Sequence, residues 1–359
     1  MLLGLRVFRP GHRTTSAKAM LRLSTSLVDP VNTMAAPRQP SAALKAGIAL
    51  FSTTVSLLAA ELVVRVVDGG AHDALHLFQV TDEPPFMGLS EGSQRLRAPD
   101  GHITTVQLDA EGQRVPNATG ATTLVVGDSQ VLGLGVEGAQ TFCHLARTPE
   151  RPIACLGTPG WSLKDALDAA ASWETTHAAP LHKVVVVLNE SNDLHEAGQP
   201  IPRRHVIRGG WLLNRTEAPS WWHSILDSPV GKSHLLVRGL SQGMRTMPRP
   251  SGPDEVDYND ALHLLGHTLV NTAQLHPAWT LTVLVLPTKE ALISDHHALA
   301  EDLAAVMGGE APTVVSLHAA LRTVDAPHLN NDPHLSVDGH AAASRVLRDV
   351  LKGDALVSP

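Results

Sequence analysis

Apolar residues fall into two kinds of pattern along this chain. The first is a single unbroken run. Residues 46–60 (AGIALFSTTVSLLAA) carry no charge, and the apolar character continues past Glu61 and Arg65 to Val67. A helix crossing a bilayer takes about 20 mostly apolar residues, a length reached here when Lys45 snorkels at one end and Glu61 and Arg65 lie at the other interface. Those two residues stand four apart in the order that favours an ion pair on a helix. A transmembrane helix is therefore predicted over residues 44–67. The second pattern begins near residue 120. Short β-rich apolar runs at 122–126, 152–156, 183–188, 280–286 and 313–317 alternate with helical stretches at 139–147, 163–177, 254–275, 295–307 and 337–351. Strands that are continuously apolar are what a parallel sheet covered on both faces requires. The expected fold is α/β, a doubly wound sheet of about five parallel strands in a three-layer sandwich, preceded by the transmembrane helix.

The remaining segments divide the chain. Residues 1–43 form a basic leader, with Arg6, Arg9, Arg13, Lys18, Arg22 and Arg38 against Asp29. An excess of positive charge before the span places the N-terminus in the cytoplasm and the rest of the chain outside it. No small-x-small site ends the apolar run, which favours an uncleaved anchor over a signal peptide. A buried helix, or an organelle transit peptide for the leader, is the alternative, and Met34 offers a second start. Residues 68–119 read as a stalk and a small β annex, with an edge strand over 102–109. Residues 120–352 form the α/β domain. Within it, 199–252 breaks the rhythm and holds Trp211, Trp221 and Trp222, half of the six tryptophans. Such an insertion is either a helix packed on the sheet or a lid or sugar platform.

Composition narrows the field. With 28 Lys+Arg against 35 Asp+Glu in 359 residues, the formal charge is −7. No basic surplus is available for phosphates, so nucleic acid is not an expected partner. Two cysteines, Cys143 and Cys155, make neither a disulfide framework nor a structural zinc site. In a helix and a strand they read as small buried hydrophobes rather than as a pair.

In open α/β sheets, chemistry gathers at the carboxyl ends of strands. The first strand runs into Gly127-Asp128-Ser129, which puts a hydroxyl at the start of a helix. The second runs into Gly157-Thr158-Pro159-Gly160, and the third into Asn189-Glu190-Ser191-Asn192-Asp193. Before the last helix stands Asn331-Asp332-Pro333-His334. Taken singly these are turns and helix caps. Together they supply a nucleophile, a base, a group to hold the base and donors for an oxyanion, which are the requirements of acyl transfer.

Gly127-Asp128-Ser129, Gly160, Asn192-Asp193 and Asp332 with His334 resemble, in order and spacing, the four blocks of the SGNH (GDSL) hydrolase superfamily, and the resemblance covers about residues 120–352. The anchor and the stretch Leu108-Asp109-Ala110-Glu111-Gly112 resemble its membrane-tethered bacterial branch. The resemblance implies Ser129 as nucleophile, His334 as general base and Asp332 as the group orienting it. The oxyanion hole would be the N–H groups of Ser129 and Gly160 with the Asn192 amide. It implies an esterase or O-acyltransferase acting on acyl esters, with O-acetyl groups on envelope or exported polysaccharides as the substrate class. It further implies a single-pass location in the bacterial inner membrane with the domain outside the cytoplasm, and no metal or organic cofactor. Two positions depart from the pattern. Glu190 stands where the third block has glycine, which opens the alternative of a catalytically silent scaffold or glycan-binding module. Asn331 stands where the fourth block often has aspartate, so the dyad must use Asp332.

Other motifs are weaker. Residues 133–138 match G-x-G-x-x-G, but they lie too far from the strand end and no acid closes the second strand. Asp295-His296-His297 reads as a solvated cap rather than a metal site. Asp338-Gly339-His340 offers a second His–Asp pairing, but His340 should already lie inside the last helix.

Overall fold

The computed structural model describes residues 41–353, except 68, 99, 117, 119, 178, 191, 198–204, 215–219, 237–238, 240–256, 295–297 and 310–311. The basic leader, the dipeptide His296-His297 and Asp295 before it lie outside the described residues. The chain divides into two units, Met1–Thr54 and Val55–Pro359. The described part of the first is the beginning of helix α1 (Ala42–Val67), which buries no residue and is long and apolar enough to cross a membrane.

Four strands open the second unit. β1 (Phe78–Val80) pairs antiparallel with β2 (Met87–Leu89), and β3 (Gly92–Arg97) with β4 (Ile103–Leu108). Next come β5 (Thr123–Gly127), α2 (Ser129–Leu132), α3 (Phe142–Ala146), β6 (Ile153–Gly157), α4 (Leu163–Thr176), β7 (Lys183–Asn189) and α5 (Asp193–Glu196). The insertion holds a hairpin of β8 (His205–Arg208) and β9 (Trp211–Asn214), then α6 (Ser220–Leu226). The chain then forms α7 (Tyr258–Leu275), β10 (Thr280–Leu286), α8 (Lys289–Ser294), α9 (Ala298–Met307), β11 (Thr313–Ser316), α10 (His318–Leu321) and α11 (Val337–Lys352). Five strands make one parallel sheet in the order β11-β10-β7-β5-β6, as the apolar runs predict.

Alternation within the strands builds both layers of core. Leu124, Val126, Val184, Val186, Val283 and Val285 pack against α4, α7 and α9, while Val125, Val185, Val187, Leu284 and Leu286 pack against α3, α10 and α11. At roughly 25 cal/mol per Å² of apolar surface removed from water, these two layers carry most of the fold's stabilisation. Caps fix where the helices begin. Ser162 and Asp165 form a capping box on α4, and Ser336 accepts the N–H of Gly339 at the start of α11.

Three helical expectations shift. The stretch at 139–147 is broken by Thr141, whose hydroxyl caps α3 after a short 3-10 turn (Gly138–Gln140). The helix expected from 254 is helical from Tyr258, where Asp257 caps it. The helix expected over 295–307 is described from Ala298 to Met307 (α9), and a separate short helix, α8, precedes it. The cysteines are a correction: Cys143 on α3 and Cys155 on β6 are joined as a disulfide. Because α3 packs directly on β6, the two Cα atoms lie 6.3 Å apart, within bridging reach.

The decoy motif at 133–138 is explained by packing. Gly135 has φ +87°, and a Cβ there would overlap the side chain of Leu329, so this loop must pass bare under the segment that carries His334. Beside it, Arg114 is a buried cation that ties the annex to the sheet. Its guanidinium donates to the carbonyls of Leu132 (3.0 Å), Gly133 (2.5 Å), Thr105 (2.9 Å) and Val136. Burial pulls its pKa down to about 10, with Glu137 acting in the opposite sense, so it stays charged at neutral pH. His340 is fully buried on α11, and its Nδ1 accepts the Phe142 N–H at 3.1 Å. It is thus a neutral structural acceptor rather than a second partner for an acid.

Arg114→Leu should cost about 3 kcal/mol of unfolding free energy, since it strands several buried carbonyls; a loss below about 1 kcal/mol in denaturant titration would remove its clamping role. Burial, reinforced by Arg114 and His334, takes His340 from 6.5 down to about 3. The unfolded chain therefore binds that proton first, and the stability is complete above pH 6.5 and declines as pH falls towards 3. At pH 5 the loss should be about 2 kcal/mol. His340→Gln should flatten the stability-versus-pH slope between pH 6.5 and 5, and an unchanged slope would assign the dependence to other groups.

Candidate active site

The order in which strands are added reverses at β5, with β6 on one side and β7 on the other, which puts the topological switch point at the carboxyl end of β5. Ser129 stands there as the first residue of α2. Asp128 caps this helix, its Oδ1 accepting the Gln130 N–H at 2.8 Å. The other carboxylate oxygen of Asp128 accepts from the side-chain amides of Asn189 (3.1 Å) and Asn192 (3.3 Å). One buried carboxylate thus joins the turn that carries Ser129 to the end of β7. Asp193 closes the same corner, accepting the Asn189 N–H at 2.5 Å.

The histidine arrives from the far end of the chain. His334 Nε2 lies 2.9 Å from Ser129 Oγ, and its Nδ1 is bonded to Asp332 Oδ1. A carboxylate only accepts, so Nδ1 carries the proton and Nε2 is left with a lone pair facing the serine hydroxyl. The same Asp332 oxygen accepts the His334 backbone N–H at 2.8 Å. Burial alone would raise the Asp332 carboxyl. Hydrogen bonds from the His334 ring and backbone, with the charges of His334 and Lys289, outweigh it and hold the group below its ordinary value. Asp332 is therefore an anion at neutral pH, able to stabilise an imidazolium. Asn331 occupies the left-handed region at φ +57°, which an asparagine tolerates and which shapes the turn into Asp332-Pro333-His334.

Gly160 follows β6 with φ +84°. A Cβ there would come 3.1 Å from Leu212 and 3.7 Å from His205, so the insertion hairpin lies directly over this loop. Glu190 is turned towards β10's end: its Oε2 accepts the Thr288 N–H at 3.0 Å, and its own N–H donates to Leu286 O. The Glu190 carboxylate thus has a structural partner on the neighbouring loop.

One group escaped the motif reading. The Gln130 side chain, 1% exposed, donates to Pro333 O at 3.0 Å and accepts the Leu335 N–H at 3.2 Å. It grips the backbone on both sides of His334. Its only sequence signal was a polar residue where a buried helical position expects an apolar one. Lys289 supports the same loop, donating to Leu329 O at 2.5 Å.

No family model matches this chain, and no curated protein matches it. Among solved structures it is similar to a member of the lipolytic protein G-D-S-L family from Veillonella parvula, at 12% identity and TM-score 0.35 over 65% of this chain and 98% of that one. It is similar to a carbohydrate esterase family 2 enzyme with a carbohydrate-binding domain from Corynascus thermopiles (Myceliophthora fergusii), at 12% identity and TM-score 0.38 over 70% and 71%. A third likeness is to an acetyl xylan esterase from the rumen bacterium Butyrivibrio proteoclasticus, at 11% identity and TM-score 0.33 over 71% and 67%.

Gln130→Leu should slow labelling of Ser129 by a fluorophosphonate about 10- to 100-fold, because the base is no longer held at the nucleophile; an unchanged labelling rate would show that the loop holds itself.

Proposed function

We propose that this chain is a serine-dependent ester hydrolase or O-acyltransferase, anchored by α1 in a bacterial inner membrane and working outside the cytoplasm. The observation that carries this reading is the 2.9 Å contact between Ser129 Oγ and His334 Nε2, with Nδ1 held by the Asp332 carboxylate. Ser129 attacks the ester carbonyl while His334 takes the hydroxyl proton, and Asp332 stabilises the imidazolium. The N–H groups of Ser129 and Gly160 and the Asn192 amide stabilise the oxyanion. Collapse of the tetrahedral intermediate breaks the ester C–O bond. His334 returns the proton to the leaving alcohol, and the acyl group remains on Ser129. A water or a sugar hydroxyl then gives its proton to His334 and attacks the acyl-serine; the acyl–Oγ bond breaks and His334 returns the proton to Ser129 Oγ, which frees the enzyme. Water as acceptor makes the chain an esterase; a sugar hydroxyl makes it an O-acyltransferase, with O-acetyl groups of envelope or exported glycans as the substrates. The residues described need no metal for these steps.

Two observations support the remaining parts of the reading. The Cys143–Cys155 disulfide suits an oxidising compartment. The engagement of Glu190 by Thr288 N–H keeps that charge occupied, which favours an active site over a silent scaffold.

With p-nitrophenyl acetate and the full chain in detergent, Ser129→Ala should abolish turnover without lowering thermal stability. Asp332→Asn should reduce kcat by about 10²- to 10⁴-fold. Residual turnover near wild type in the serine variant would remove Ser129 as nucleophile.

A further inference from the structure

β7 and β10 run parallel and finish together, with Leu286 in register with Asn189, the last residues of the two strands. Glu190 ties the two exits to each other: its N–H donates to Leu286 O and its carboxylate accepts the Thr288 N–H, each at 3.0 Å. The segment before His334 forms a further side, joined to the β10 exit by Lys289 Nζ on Leu329 O. These walls border a cavity of about 410 Å³, with Asn189 and Thr288 from the strand exits and Asn330, Asn331 and Asp332 from the histidine's segment. That is the size of a small-molecule site, at the end of the sheet where such sites form.

The lining selects the ligand. Its apolar members are Pro287 and Pro333, so an acyl chain finds little wall to bury against. One cation, Lys289, is set against two acids, Asp332 and Glu290, which leaves no surplus charge for a phosphate or a carboxylate. Asn330 and Asn331 are exposed, and their side chains bond to none of the described residues. Carboxamides both donate and accept, which suits hydroxyl groups that do the same. Asp332 adds an acceptor. Both of its bonds from His334, ring and backbone, use Oδ1; Oδ2 is bonded to none of the described residues, and the side chain keeps 17% exposure. A neutral, polyhydroxylated group without a long apolar part is a sugar ring. Its position follows from the catalytic pair. The His334 imidazole, with Ser129 Oγ 2.9 Å from Nε2 on its far side, stands between Asp332 and the reacting ester. A ring bound against Asp332 is therefore the neighbour of the ring whose hydroxyl carries the acyl group, not that ring itself.

We propose that this cavity is a glycan subsite that takes the sugar residue next to the one bearing the ester, so that a disaccharide unit, rather than a single alcohol, is the group this protein recognises. The subsite rests on the reading of Ser129 and His334 as the reacting pair.

The test compares release of acetate by the full chain in detergent from mono-O-acetyl methyl glucoside and mono-O-acetyl methyl cellobioside, with the corresponding N-acetylglucosamine and chitobiose esters as a second series. In at least one series the disaccharide ester should exceed the monosaccharide ester in kcat/KM by about tenfold, the worth of one or two hydrogen bonds, mainly through a lower KM. Asn330→Trp, which fills the cavity from the histidine's segment, should bring the two esters to the same kcat/KM. Glu290→Trp should do the same from the β10 side, without touching that segment. Equal values for mono- and disaccharide esters in both series, or an advantage that survives both tryptophan variants, would overturn the subsite. Fluorophosphonate labelling of Ser129 separates the two readings. A chain that is labelled but shows no disaccharide preference loses the subsite alone, whereas a chain that is neither labelled nor releases acetate loses the catalytic reading and the subsite with it.

Discussion

A buried carboxamide has to satisfy both its ends, and in this protein the only route open to Gln130 is the backbone of a segment more than two hundred residues away. Its oxygen and nitrogen meet Leu335 N–H and Pro333 O, the two peptide groups that flank His334. An unpaired amide in that position would cost about 1–3 kcal/mol, so the loop is seated by the same bonds that keep the core satisfied. The fold around it serves this seating: Gly135 leaves room for Leu329, Lys289 takes up a loop carbonyl, and Ser336 starts the helix that follows.

Strand runs and motif order carried the sheet. Continuous apolar stretches identify buried parallel strands because both faces of each strand need covering, and all five were readable for that reason. The blocks holding Ser129, Asp332 and His334 were readable in order, and the structure brings the three side chains together, Ser129 at the end of β5 and the other two in the loop before α11. What the sequence hid were contacts between segments far apart in the chain. Arg114 has no local signal, since nothing nearby in the chain shows that carbonyls of β4 and of the segment 132–136 converge on it. The cysteines were misjudged for the same reason: sequence spacing does not reveal that α3 lies flat on β6. Glu190 looked like an intruder in the third block, but the Thr288 N–H, in the loop after β10, is its partner.

Electrostatics divides the molecule by region. A chain that is acidic overall is locally basic over residues 1–43 and 199–252. The carboxylates that matter are each enclosed by donors: Asp128 by two amides and a peptide N–H, Asp332 by an imidazole and a peptide N–H, Glu61 by the insertion's turn. Asp332 stays ionised because donors, not solvent, stabilise its charge.

The separation between Ser129 and His334 also sets an order of events during synthesis. The strand and turn that present the serine emerge early, but the histidine, its aspartate and the helix that anchors them arrive in the last thirty or so residues. Contacts of such high sequence separation form late, because the intervening chain must be closed into a loop first. A nascent or truncated chain therefore carries Ser129 without His334 beside it, and their contact forms only when the carboxyl-terminal helix has docked against α3.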